Sequence, residues 1–493
     1  MSEQMNATDA LADPQPQSLK RKTAKGLLWG GINSGLMQVF NFAFGIILAN
    51  LLLPAEYGLV ALLGIFSSFA SILQEGGFIS ALNQKEEATS ADYNAVFWFS
   101  SLMGLGLYLL GFFCAPLIAS YFNDERLTDL ARYSFVAFFI AGLNIAPKAL
   151  LFRQLRVRET SAISICSLLL SGTVGVVMAF AGYSYWGLAT QGVVYVLVGT
   201  VLTFWRARWR PTLTIDFSPL RGLIGYSGKL MITNALTVVN ANFFNFILGK
   251  LYTPIAVGNF SQANKWTTMG YSTISGMIGG IAQPLFAKVE EDAQRQVAVF
   301  RKLLRFTALL TFPAMLGFSL VAPELIVVAI GTKWLESAHI LQVLCIWGAV
   351  VPISSIFSNY LLARGRSDIY LWSTVALVVV QLAVVLTASL WGMEVMFRGF
   401  VVVNVLWLFV WHWLVRRELP LRLRFVLCDL APYALLSIAL CLVAYFLFMG
   451  VNNIHLRLAG KVAFVGTLYL GTLYVSGSVI LREGVAFLLK RGK

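Results

Sequence analysis

Lys265 lies ten positions into an apolar stretch that opens at Ile255, which places it about 15 Å along a helix at about 1.5 Å per residue. In hydrocarbon a lysine costs about 2.5–3.5 kcal/mol on insertion scales, so it requires an aqueous cavity or a partner unless it snorkels to the interface. Asn259, Gln262, Lys265, Ser272 and Ser275 recur near helical spacing and form one polar stripe. Two other apolar stretches carry similar stripes: Asn33, Ser34, Gln38 and Asn41 in the first, and Asn234, Thr237, Asn240, Asn242 and Asn245 in the second. Amides hydrogen-bond sugar hydroxyls and phosphate oxygens without burying charge. The same side chains also join transmembrane helices to one another, and spacing alone leaves both readings open.

Glu75 and Lys148 are two further ionisable residues near the ends of apolar stretches. Glu75 has the chemistry to bind a coupling proton or sodium ion, or to be a paired interface carboxylate. Lys148 follows Pro147, which disrupts the helix beside it, and so reads as a cation at the mouth of a cavity. Catalytic and metal-binding patterns are absent. The five cysteines show no CxxC or Cys/His spacing, and His339, His412 and His455 lie far apart. Gly225-Tyr-Ser-Gly228-Lys229-Leu230 lacks the Walker spacing and its final hydroxyl residue. The side chains present suit binding without covalent chemistry or a cofactor, with an H+ or Na+ gradient, the membrane potential or the substrate gradient as the energy source.

The elements that must hold these groups are transmembrane helices. Of 493 residues 58% are apolar and 12% charged, against roughly half and a quarter in soluble domains. Mean hydropathy is +0.75. A bilayer core needs roughly 20 helical residues, and apolar runs supply about 14 candidate spans, from Leu27–Leu53 through Ile255–Ala287 to Lys461–Leu481. The polar residues before Lys20 read as disordered, and Lys20, Arg21, Lys22 and Lys25 precede an uncleaved first span. The net charge of +14 falls largely at alternate junctions, including Arg153, Arg156 and Arg158, then Arg206, Arg208 and Arg210, then Arg416, Arg417, Arg422 and Arg424. This asymmetry predicts cytoplasmic N- and C-termini, with contact to anionic membrane lipids and no role for nucleic acid.

The chain also repeats itself. At an offset of 200, Pro54 meets Pro254 and Gly58 meets Gly258; further on Ala115-Pro116 matches Ala322-Pro323, and Leu150-Leu-Phe-Arg153 matches Leu361-Leu-Ala-Arg364. The expected fold is an all-α polytopic membrane protein with two pseudo-symmetric six-helix bundles and a C-terminal helix pair. Its divisions are a disordered segment 1–22, an N-lobe 23–210, a C-lobe 211–420 and a final pair with tail 421–493.

Lys25-Gly-Leu-Leu-Trp29, Leu53-Pro-Ala-Glu-Tyr-Gly58, Gln74-Glu-Gly-Gly-Phe-Ile-Ser-Ala-Leu82, Gly258-Asn-Phe-Ser-Gln-Ala263 and Gln283-Pro-Leu-Phe-Ala287, taken in order, make a recognisable set. Over roughly residues 20 to 420 the chain resembles the polysaccharide transporter family, the O-antigen and colanic-acid type flippases of the multidrug/oligosaccharidyl-lipid/polysaccharide exporter superfamily. The resemblance implies a V-shaped fold of two lobes around a cationic cavity. It implies translocation of undecaprenyl-diphosphate-linked oligosaccharide from the inner to the outer leaflet of the bacterial cytoplasmic membrane by alternating access. It further implies polysaccharide polymerase and glycosyltransferase partners. Many relatives carry Arg where this chain has Asn50, while Lys250 stands at the duplicated position. The diphosphate would therefore fall to Lys265, with Lys148 helping at the inner mouth, and Asn33, Gln38, Asn41, Asn242 and Gln262 would contact sugar or phosphate. A cation-coupled multidrug exporter of the same superfamily would be expected to hold acidic residues deep in its cavity. An O-antigen polymerase or ligase would be expected to have a long periplasmic loop.

Overall fold

In the computed structural model of the chain, residues 35–75, 78–85, 88–220, 238, 242–288 and 292–476 are described. Among them there is no strand, and eleven helices are long and apolar enough to cross a membrane. In chain order the helices begin with α1 (Gly35–Leu51), α2 (Pro54–Glu75), α3 (Phe78–Gln84), α4 (Ser90–Phe122), α5 (Arg126–Ser134) and α6 (Val136–Arg153). There follow α7 (Val157–Phe180), α8 (Tyr185–Ala207), α9 (242–251), α10 (Pro254–Lys288) and α11 (Ala293–Ile330). The set ends with α12 (Leu335–Ala363), α13 (Ser367–Ala388), α14 (Met393–Arg416), α15 (Leu423–Leu447) and α16 (Ile454–Val475). The chain divides into two compact units, 1–258 and 259–493.

Local chemistry sets where these helices start. Pro54 and Pro254 open α2 and α10, where a missing N–H is one of the helix's orphan donors anyway. Thr89 caps α4 in a capping box with Asp92, whose carboxylate also pairs with Lys85 at 2.7 Å. Asn453 caps α16 by accepting from the His455 and Leu456 amides. That cap places the last span seven residues earlier than the predicted start at Lys461, which becomes an interior residue of the helix. In the first unit the core gathers Phe78, Leu82, Tyr93, Phe97, Ile145 and Leu150; in the second it gathers Phe286, Phe300, Phe357, Tyr360 and Trp411. Phe113, Leu117, Phe180 and Leu435 stay exposed on helix faces, the surface a bilayer covers with acyl chains.

The repeat is visible in the backbone. α1 and α9 end at residues 51 and 251, and α2 and α10 begin three residues later. Within the first unit, a Cβ built on Gly58 would lie 1.8 Å from the Pro254 carbonyl oxygen, and one on Gly258 would lie 1.8 Å from that of Pro54. The letters aligned by the duplication thus meet reciprocally, and glycine is required because backbone occupies the space of a side chain. A second repeated turn refines the alignment. Arg156 N donates to Leu151 O and Arg366 N to Leu361 O, an offset of 210 rather than the 211 of the matched letters. Leu155 holds a left-handed φ of 52° where its counterpart Gly365 has 72°, so one copy of the turn accepts strain that glycine spares the other.

Gly58→Ala and Gly258→Ala each force backbone apart and are expected to lower the melting temperature of the purified protein, at a cost of about 1–3 kcal/mol or more. Gly276, with nothing within 4 Å of a built Cβ, is the control, and Gly276→Ala should leave melting unchanged or raised. Equal melting of all three variants would refute the close crossing.

Candidate functional site

Among the described residues, several charged side chains within the helices are held by partners on other helices. On α11 and α16 of the second unit, Glu324 is 3% exposed and Lys461 4%. Glu324 Oε1 accepts from Lys461 Nζ at 2.6 Å and lies 2.8 Å from Arg457 Nε. Two cations around one carboxylate exceed what its charge balances, and Arg457, a third exposed, keeps access to water. On α15, Asp429 is likewise shared: Arg301 reaches it at 2.6 Å with a second contact at 3.0 Å, and Arg305 at 2.5 Å, both from α11. In the first unit Lys250 donates to the Tyr121 carbonyl at 2.9 Å and sits 4.3 Å over the Tyr121 ring. Arg132 lies 4.7 Å over Phe112.

Lys265, on α10, is exposed, and among the described residues it has neither a hydrogen-bond nor an ion-pair partner. Its stripe divides along the helix. Asn259 is buried and ties α10 to α12, donating to Glu336 at 2.9 Å and accepting from Ser337 Oγ at 2.9 Å. Gln262 is 2% exposed, one turn from Lys265. For Asn259 the helix-joining alternative therefore holds, while Lys265 on the same stripe is left for another task.

Glu75 and Lys148, read separately from sequence, are partners: Lys148 Nζ donates to Glu75 Oε1 at 3.1 Å, with both side chains about half exposed. The pair lies on the wall of a cavity of about 450 Å³ within the first unit, between α2, α6, α7 and α8. On α1, Gln38 is exposed and Asn41 half-buried. Asn242 on α9 donates to Val238 O of its own chain segment at 3.0 Å. Asn33 lies outside the described residues.

Comparison with known proteins decides the family. The sequence profile of the polysaccharide biosynthesis protein family matches residues 47–339. The chain belongs to the polysaccharide biosynthesis protein family. Teichuronic acid biosynthesis protein TuaB of Bacillus subtilis is 24% identical over 487 residues, covering 95% of this chain and 99% of the relative. Lipopolysaccharide biosynthesis protein WzxC of Escherichia coli is 22% identical, covering 71% and 72%. The lipid II flippase MurJ in its inward closed conformation has the same fold, with a TM-score of 0.72 at 13% identity over 91% of this chain and 99% of that one.

This family member is thus an all-α, multi-pass membrane protein whose ion pairs the sequence reading had missed at Glu324 and Lys461. Glu324 follows Ala322-Pro323 inside an apolar run, so an acid at membrane depth was a visible signal. Its partner was hidden because Lys461 read as the edge of a span.

Glu324→Ala leaves the buried Lys461 ammonium without its carboxylate, and the expected loss is about 3–5 kcal/mol, read as a lower melting temperature. Replacing both, Glu324→Met with Lys461→Met, should recover most of it. A double variant no more stable than the single one would refute the pairing.

Proposed function

We infer that the protein moves an undecaprenyl-diphosphate-linked oligosaccharide from the cytoplasmic to the outer leaflet of the bacterial cytoplasmic membrane, for surface polysaccharide synthesis. The observation that carries this reading is Lys265: an accessible cation on the 35-residue helix α10, over the apolar stretch that the sequence assigns as a span, unpartnered among the described residues, in a chain of the polysaccharide biosynthesis protein family. A diphosphate group supplies the counter-charge such a lysine lacks. Gln38, Asn41, Asn242 and Gln262, with Asn33, then contact sugar or phosphate. The oligosaccharide's hydroxyls suit amides, which both donate and accept.

In this reading the lobes are 23–210 and 211–420 with 421–493 appended, both termini are cytoplasmic, and the two lobes alternate access to the two leaflets. Lys148, balanced by Glu75, belongs to the inner mouth. The Glu75 carboxylate is the candidate for proton or sodium coupling, and release of Lys148 on protonation is the step that would link the two. Polysaccharide polymerase and glycosyltransferases are the partners that would consume and supply the cargo. The protein works as a secondary transporter, because moving the cargo between leaflets makes and breaks no covalent bond.

Lys265→Ala is expected to abolish surface polysaccharide and to accumulate the lipid-linked oligosaccharide on the cytoplasmic leaflet, with the protein still inserted at normal levels. Lys265→Arg should retain partial export, since the charge persists while its geometry changes. Normal surface polysaccharide in a strain carrying only Lys265→Ala would overturn the assignment.

A further inference from the structure

The cavity beside Glu75 and Lys148 has a wall that is not chemically satisfied. Gln74 Nε2, Asn144 Oδ1 and Ser167 Oγ are buried without a hydrogen-bond partner, and all three residues line this one space. Gln74 is 2% exposed and Ser167 1%. Neighbouring hydroxyls show what happens when such a group has no other task. Thr160 donates to Val157 O at 3.0 Å, Ser164 to Thr160 O at 3.0 Å, and Thr203 to Gly199 O at 2.7 Å. Ser167 sits on the same helix as Thr160 and Ser164 and makes no such bond. Leaving buried donors and acceptors unmade is unfavourable, and three around a single cavity mark a place where a ligand completes them.

We propose that this cavity binds a neutral sugar ring of the transported oligosaccharide. The inference rests on the transport reading above and adds a glycan site inside the first unit, apart from Lys265. The charge balance selects the ligand. Lys148 is already neutralised by Glu75 at 3.1 Å, so a phosphate would find its cation spent and a carboxylate beside it, and a metal cation would meet the ammonium. A neutral polyol suffers neither penalty. Each sugar hydroxyl donates and accepts, which matches an amide N–H, an amide oxygen and a hydroxyl presented together. Tyr195 adds a partly exposed ring to the wall, a surface for the apolar face of a pyranose. The volume of about 450 Å³ lies within the roughly 300–1,000 Å³ of small-molecule sites. The pocket lies toward the ends of α2, α6 and α8 and the start of α7, the ends that the charge asymmetry assigns to the cytoplasm, where the cargo is loaded.

The test uses the full-length protein in lipid nanodiscs with three probes. These are the lipid-linked oligosaccharide extracted from a strain lacking this protein, undecaprenyl diphosphate without sugar, and the free oligosaccharide released by mild acid. Ser167→Ala removes one unpartnered group. Gly199→Ala is the safeguard against misfolding: its new Cβ would stand 3.5 Å from Ser167 Oγ, an ordinary contact, and would narrow the cavity that Gly199 lines beside that hydroxyl. Each variant is expected to weaken binding of the two sugar-bearing probes about tenfold and to leave undecaprenyl diphosphate unchanged. Unchanged binding of both sugar probes would assign the cavity to water and overturn the proposal. Equal weakening of all three probes would make these residues structural and also overturn it. Lys265→Ala should instead weaken undecaprenyl diphosphate. If it does not, while the cavity variants still lose sugar, the diphosphate assignment fails and the glycan site stands.

Discussion

A bilayer core offers no water, so any charge or hydrogen-bonding group placed there must find its partner within the protein. The second unit is organised around that constraint. Glu324 on α11 collects Lys461 and Arg457 from α16, and Asp429 on α15 collects Arg301 and Arg305 from α11. The last helix pair, α15 and α16, is therefore tied to α11 at two positions along it, near its start and near its end. Between these polar ties, Leu309, Tyr433, Tyr469 and Leu473 pack together, and the Tyr469 hydroxyl donates to Leu309 O at 3.0 Å. Apolar packing alone discriminates little between a helix neighbour and lipid, whereas a buried carboxylate with two cations specifies which helices meet.

The duplication imposes a second constraint, this one steric. Pro54 and Pro254 begin equivalent helices, and the carbonyl of each occupies the space above the glycine four residues after the other. The two copies of the Pro-x-x-x-Gly motif, both within the first unit, thus contact each other reciprocally. That contact explains why proline and glycine survive together in both copies. The turn at 152–156 and 362–366 has diverged more: the hydrogen bonds are kept while Gly365 is replaced by Leu155 in a left-handed conformation.

Against this background of satisfied charge, a few polar groups are left over among the described residues. Asn259 satisfies Glu336 and Ser337, and Asn242 a backbone carbonyl, so those amides contribute cohesion in the state seen. Lys265 stays without a counter-charge among the described residues. Gln74 Nε2, Asn144 Oδ1 and Ser167 Oγ stay without a hydrogen-bond partner in residues that line one cavity. A transporter must withhold some of its polar groups from its own structure, because a cargo that carries phosphate and hydroxyls has to be stabilised as it leaves water.

Composition, apolar run lengths and the repeat were legible in the chain because each depends on neighbours along one helix: 58% apolar residues, spans of about 20, Pro-x-x-x-Gly twice. Lys265 could be singled out for the same reason, since depth follows from position in a run. Which charge meets which could not be read. Glu75 and Lys148 stand 73 residues apart and Glu324 and Lys461 137 apart, and only folding brings such pairs within 4 Å. The last span was displaced for this reason: Lys461 looks like a boundary until Glu324 makes its burial affordable. The polar cavity is the most tertiary feature of all: each of four helices brings a short stripe of its wall, and only packing sets those stripes around one space.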